Sequence, residues 1–277
     1  MLLLELMRYR NCAMAGLAAV IGAWIAYSAA PGDMIWFILI FFTVFFITGA
    51  GNAINDYFDA AIDAVNRPGR PIPSGRLKKE TAFVFSIALF GAGIIISFFI
   101  GETLIPFLIA VFNSLLLFFY ASFLKRKVFL GNLSVAYLTG STFLFGGAAY
   151  GQDGLRVTLV LFILSMLATF AREIVKTIED MEGDRKEGAL TLPIMIGERR
   201  AAYLACAFGL MAITLSPIPY IRGLFNEYYL FVVGFADVIL LYAVFMSLKK
   251  RPADSSKYFK AGMFLALIAF IAGSLLR

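Results

Sequence analysis

Apolar residues in this chain run together in blocks of roughly 20, broken by shorter polar stretches. A helix crosses the hydrocarbon core of a bilayer in about 20 residues, so each block predicts one transmembrane helix. Nine are found, at roughly 12–30, 34–54, 81–100, 104–122, 129–149, 156–175, 201–220, 228–247 and 258–276. The pattern therefore predicts an all-α, polytopic membrane protein. Nine spans occupy about 180 of the 277 positions, which leaves loops and no room for a separate soluble domain. The chain reads as one transmembrane domain, 1–277. The first block lacks the pattern of a cleavable signal peptide and is followed at once by a second, so it is expected to remain in the mature protein.

Composition agrees with a lipid solvent: 61% of residues are hydrophobic, 15% are charged, and 29 are Phe. There is no histidine, which removes most zinc, haem and Ser-His-Asp chemistries. Cys12 and Cys206 fall in or beside spans, and two isolated cysteines define neither a disulfide nor a metal motif. A net charge of +6 would suit nucleic acid, but its distribution points to topology instead. All of the 24 basic residues except Arg156, Arg222 and Arg277 fall on one side of nine spans. By the positive-inside rule that side is cytoplasmic, so the N-terminus is expected inside and the C-terminus outside. Two cytoplasmic connections, near 55–80 and 172–200, are long and polar, and such loops on a rigid scaffold usually carry function.

Both connections open with carboxylates at helical spacing. Continuing the second span as a helix places Asn52, Asp56, Asp59 and Asp63 at i, i+4, i+7 and i+11, on one face. In the other connection Glu173, Asp180 and Asp184 follow at intervals of seven and four, with Lys176 about one turn from Glu173. Like charges on one face repel, and a helix C-terminus adds negative character, so a cation is expected there. A single loop Asp would be an ordinary solvated residue; two clusters at the ends of membrane spans are functional candidates. The donors are all oxygens, which indicates a hard ion. Magnesium takes one or two carboxylates together with phosphate oxygens and water, so the clusters are expected to hold a diphosphate through metal ions. Arg67, Arg70, Lys125, Arg126 and Lys176 could take the remaining phosphate charge.

The stretch Asn55-Asp56-x-x-Asp59-x-x-x-Asp63, followed by Asn66-Arg67-Pro68-x-Arg70-Pro71-Ile72-Pro73-Ser74-Gly75, resembles the first signature of the UbiA superfamily of intramembrane prenyltransferases. Asp180-x-x-x-Asp184, with Glu173 seven residues earlier, is similar to its second acidic motif. The likeness covers the whole chain. It is strongest to the archaeal ether-lipid branch, through Arg172-Glu173-Ile174-Val175-Lys176, Glu182-Gly183-Asp184 and Arg8-x-x-Asn11-Cys12. One departure stands out. The family often has a Tyr and a Lys four residues apart after the fourth span, whereas Tyr120 and Lys125 are five apart here, with Arg126 next.

The resemblance implies a helical bundle around a central cavity, in which Asp56, Asp59, Asp63, Asp180 and Asp184 hold magnesium and a prenyl diphosphate donor. Arg8, Asn11, Asn52, Asn55, Arg67, Arg70, Tyr120, Lys125, Arg126, Glu173 and Lys176 would bind substrates. A geranylgeranyl group would pass to the free glycerol hydroxyl of a lipid-phosphate acceptor, geranylgeranylglyceryl phosphate. Partners beyond these are the bilayer itself, with no nucleic acid and no obligate protein. Tyr57, Phe58 and Tyr120 could shield a developing cation, although packing is the commoner role of such rings. An aromatic-acceptor prenyltransferase (4-hydroxybenzoate, naphthoate or tetrapyrrole) would use the same metal site. A cation-coupled transporter would favour Asp237, inside the eighth span.

Overall fold

The structure, a computed structural model, describes residues 1–29, 32–186 and 188–275. All regular structure among them is helical. In chain order the elements begin with α1 (Leu2–Met7), α2 (Tyr9–Ala29), α3 (Ile35–Phe58), α4 (Ala60–Asn66), α5 (Lys79–Ser97) and α6 (Ile105–Ser122). A 3₁₀ turn at Leu124–Arg126 leads to α7 (Leu130–Ala148), α8 (Gly151–Glu179), α9 (Met181–Lys186) and α10 (Leu192–Ile196). The chain then forms α11 (Glu198–Leu215), α12 (Ile218–Ile221), α13 (Glu227–Leu248) and α14 (Pro252–Leu275). Each of the nine expected spans coincides with one long helix; the outer ends expected at Ala30 and Leu276 lie outside the described residues.

Eight of these long helices are also apolar enough to cross a bilayer, with α11 and α12 taken together as Glu198–Ile221. The exception is α7, whose 19 residues are diluted by Gly131, Asn132, Ser134, Gly140 and Ser141 among others. The dilution follows from packing. Between helices in lipid there is little hydrophobic gain, so small residues that admit close backbone approach take over. A Cβ on Gly146 of α7 would stand 2.1 Å from the Ala19 carbonyl oxygen of α2, and one on Gly22 would stand 2.6 Å from the Phe143 carbonyl. Gly147 is likewise closed in by Thr158, whereas Gly151, with φ 69°, forms the turn into α8, and a Cβ there would meet nothing within 4 Å. Of these two glycines, four residues apart, one packs and the other turns.

The described chain divides into two compact units: Met1–Leu124 with Thr142–Thr158, and Lys125–Ser141 with the residues from Leu159 onward. In the first, α3 packs against α2, α5 and α6. Its buried positions Ile40, Val44, Ile47, Ala50 and Ile54 recur every three or four residues, as one face of a helix must. Ile38 and Phe42 point outward, as expected where lipid is the solvent. In the second unit α13 packs on α11 and α14. Its core holds Leu240, Ala243, Val244 and the fully buried Phe259, while Phe231, Phe235 and Phe245 are exposed. Asn226 caps α13 by accepting from the backbone N–H groups of Tyr228 and Tyr229. Both cysteines are buried free thiols.

Candidate active site

The expected continuous face from Asn52 to Asp63 is interrupted. α3 stops at Phe58, Asp59 takes φ −86° and ψ 1°, and α4 restarts at Ala60. The backbone bonds bridge the break, since Asp59 N–H donates to Asn55 O at 2.9 Å and Asp63 N–H to Asp59 O at 2.8 Å. The result is a break in the helix placed on a carboxylate. Asp56 before the break and Asp63 after it are both buried, at 4% and 6% exposure.

Burying two carboxylates requires cations, and both are arginines. Arg8 donates from one guanidinium nitrogen to Asn52 Oδ1 at 3.0 Å and from the other to Asp56 Oδ1 at 2.5 Å. Arg70 donates from a single nitrogen to Asp56 Oδ1 at 3.1 Å and to Asp63 Oδ2 at 2.5 Å. Two positive and two negative charges thus meet, with Asn52 linking Arg8 to the backbone through a bond to Met7 O at 2.9 Å. Arg8 itself sits in the left-handed region at φ 53°, which ends α1 and turns the chain into α2. Asn55 donates to Asp59 Oδ2 at 2.8 Å.

Arg70 comes from the turn between α4 and α5. Its carbonyl accepts from Ser74 N–H at 3.0 Å and from Ser74 Oγ at 2.7 Å. Gly75, at φ 73°, lets the chain double back so that Leu77 N–H reaches Pro71 O at 2.9 Å. Arg67 is exposed on this turn.

The second motif repeats the first in register. Asn52, Asp56, Asp59 and Asp63 correspond in spacing to Glu173, Thr177, Asp180 and Asp184. α8 ends at Glu179 and α9 restarts at Met181, so the break again falls on the third member. The backbone bonds recur too: Asp180 N–H to Lys176 O and Asp184 N–H to Asp180 O, both 3.0 Å. The chemistry differs at the second member, where Thr177 replaces a carboxylate, sits 3.4 Å from Asn132 Nδ2 and bonds Ile174 O. The number of carboxylates is unchanged, because Glu173 stands where Asn52 does; here Asp180 is exposed and Asp184 half-buried. Glu173 is buried, and its partner is Arg172, at 2.7 Å. Helical spacing pointed to Lys176, which is exposed; the long Arg172 side chain reaches its neighbour by folding back, which spacing does not reveal.

The remaining candidates are scattered. Asn11 is exposed, its backbone N–H donating to Arg8 O at 2.8 Å. Tyr120 is half-buried near the end of α6, Lys125 is half-buried in the 3₁₀ turn, and Arg126 is exposed beside it. Tyr57 has the Lys79 ammonium 4.6 Å from its ring centroid and Phe58 meets Phe118 edge-on, so both rings have packing partners. Asp237 accepts from Ser216 Oγ at 2.6 Å, and Tyr229 OH donates to the Ser216 carbonyl at 2.6 Å; this network ties α11 to α13. Glu5 and Arg76, which helical spacing did not single out, form an ion pair beside the site. They lie 71 residues apart in sequence, so no local pattern could have joined them.

Among the described residues, no three Asp, Glu, His or Cys side chains converge tightly enough to form a metal cage. Two do converge. Asp56 and Asp63 share one cationic nitrogen, so these two carboxylates could together hold a divalent ion. A pair of carboxylates with the rest of the shell left to phosphate and water suits magnesium, not calcium or zinc.

A membrane helix that breaks within the motif NDxxDxxxD, with the same spacing and break recurring later in the chain, defines a class. The UbiA prenyltransferase family model matches residues 15–268, and the chain belongs to this family. Over 98% of its length it is 53% identical to the digeranylgeranylglyceryl phosphate synthase of Methanosarcina mazei, covering 97% of that protein. A solved structure of a digeranylgeranylglyceryl phosphate synthase superposes with a TM-score of 0.87 at 41% identity, covering 99% of this chain and 98% of the other. A UbiA homolog from Archaeoglobus fulgidus bound to GPP and Mg2+ shares the fold at 16% identity, with a TM-score of 0.68 over 96% of this chain and 99% of its own.

Proposed function

We propose that this protein transfers a geranylgeranyl group from geranylgeranyl diphosphate to the free glycerol hydroxyl of geranylgeranylglyceryl phosphate, making a membrane ether lipid. The observation that carries the reading is the convergence of Asp56 and Asp63 on one cationic nitrogen, with Arg8 and Arg70 already in place. The near full-length likeness to digeranylgeranylglyceryl phosphate synthases supports the choice of acceptor.

Magnesium, when bound, offsets the negative charge of the diphosphate and stabilises it as it leaves. Asp56 and Asp63 would hold it, with Asp59 beside them in the first motif; Asp180 and Asp184 are the proposed magnesium ligands of the second motif. Arg8 and Arg70 can turn from the carboxylates to phosphate oxygens, exchanging one charge-assisted hydrogen bond for another. As the C–O bond to the diphosphate lengthens, the allylic carbon gains positive charge and the acceptor hydroxyl attacks it. The hydroxyl proton goes to the departing diphosphate or to a carboxylate, because the chain has no histidine to take it. Lys125, Arg126 and Lys176 are the basic residues offered to the acceptor phosphate. The charge distribution supports a cytoplasmic N-terminus and acidic loops, with the C-terminus outside.

The test is incubation of purified protein with magnesium, geranylgeranyl diphosphate and either geranylgeranylglyceryl phosphate or 4-hydroxybenzoate, with products identified by mass spectrometry. Digeranylgeranylglyceryl phosphate is the expected product. A prenylated aromatic in its place would overturn the acceptor assignment and keep the donor site.

A further inference from the structure

Arg76 makes four polar contacts, and each touches the turn that delivers Arg70 or the helix that precedes Arg8. Two guanidinium nitrogens fork onto the carboxylate of Glu5, at 3.0 and 2.9 Å. One of them also donates to the carbonyl of Gly69, the residue before Arg70, at 2.7 Å. Nε donates to Ser74 Oγ at 3.0 Å, and Ser74 in turn bonds the Arg70 carbonyl. Arg76 thus brackets Arg70 in sequence and ties the whole turn to α1. Under this network Leu6, with no exposed surface, packs with Ala53 of α3, Ala82 of α5 and the turn residues Ile72 and Leu77. One residue past α1 stands Arg8, on Asp56.

We propose that Arg76 and Glu5 are positioning residues: their fork folds the 67–78 turn around Arg70 and registers it against α1, so that Arg70 and Arg8 stand together over the acidic pair. The inference rests on the prenyl-transfer reading for its kinetic consequence and on geometry alone for its structural one. The bonds of this pair go to each other, to Gly69 and to Ser74, so their effect on Asp56 and Asp63 passes through Arg70 and Arg8. At 43% and 48% side-chain exposure the ion pair is worth little as a source of stability. What it supplies is direction, because a planar guanidinium can hold a carboxylate, a carbonyl and a hydroxyl at fixed angles. A lysine ammonium keeps the charge but not that fork.

The test uses the full chain in lipid nanodiscs with Arg76→Lys and Glu5→Gln. Both variants should raise the KM for geranylgeranyl diphosphate about fivefold while kcat stays within about twofold, the scale of an exposed charged pair. Hydrogen–deuterium exchange without substrate should show faster amide exchange over residues 69–78, with the amides of α13 unchanged as a check on folding. Unaltered exchange in both variants overturns the proposal whatever the substrate. Faster exchange with an unchanged KM overturns the positioning role. If the unaltered protein does not turn over geranylgeranyl diphosphate, the prenyl-transfer reading has failed. The positioning role of Arg76 and Glu5 then stands or falls on exchange and on weaker magnesium-dependent binding of inorganic diphosphate by the variants.

Discussion

Because Asp56 accepts from both Arg8 and Arg70, and Arg70 also reaches Asp63, removing any one of these charges leaves a buried partner exposed to its like. Loss of one member of a buried ion pair costs about 3–5 kcal/mol. For Arg70→Gln we expect a lower melting temperature without magnesium, and a larger rise on adding it than in the parent, since the ion replaces the missing guanidinium. Equal magnesium-induced shifts in the two proteins would refute a cation site at this pair. Asp56→Ala and Asp184→Ala should each lower turnover by about 10²-fold or more, in line with the loss of a key electrostatic contact. Size-exclusion profiles should show that both remain folded; full activity in either would sink the ligand assignment. The Glu5 carboxyl is held below its usual range by the hydrogen bonds from Arg76, with their charge attraction adding to it and burial opposing. A depressed carboxyl contributes above its unfolded pKa and loses that contribution as pH falls through the folded value. Protection of the 69–78 amides, corrected for intrinsic exchange, should therefore be flat from about pH 6 to 8 and decline only below about pH 4.

At the scale of the element, the two acidic helices share a construction. Each is a membrane-crossing helix that breaks on an Asp and resumes as a helix of six or seven residues, with the same backbone bonds across the break. The spacing of carboxylates was readable in sequence; the break was not, because nothing in Tyr57-Phe58-Asp59-Ala60 or Thr177-Ile178-Glu179-Asp180 forbids a continuous helix. The bundle has its own local constraint where α2 crosses α7. An Ala at Gly146 would bring its Cβ to 2.1 Å from a backbone oxygen, which the backbone can relieve only by moving apart. Overpacking of this kind costs about 1–3 kcal/mol. Gly146→Ala should melt several degrees lower than the parent, while Gly91→Ala on α5, with nothing within 4 Å, should not. Equal melting temperatures would show that the crossing is looser than its geometry implies.

For the whole molecule, apolar surface sets the frame: exposed Phe, Leu and Ile on the long helices suit a lipid solvent, and the proposed orientation, drawn from the charge distribution along the sequence, is open to direct test. With both native cysteines buried, a single added thiol reports sidedness cleanly. Ser74→Cys should be labelled by an impermeant maleimide only from the cytoplasmic face of sealed vesicles, and Asp153→Cys only from the other. The reverse pattern would invert the orientation.

Long apolar runs determined the helices by themselves, since a bilayer demands about 20 apolar residues whatever the partners. The spacing of Asp56, Asp59, Asp63, Asp180 and Asp184 likewise marked them as candidates for a site, because unbalanced carboxylates at a membrane surface need a cation. Which cations stand there was decided by the tertiary structure. Arg8 and Arg70 reach Asp56 from 48 and 14 residues away, and Arg76 reaches Glu5 from 71. Long flexible side chains carry charge in every direction around their backbone, so pairing depends on how the helices pack and how the 67–78 turn folds, neither of which a helical period encodes.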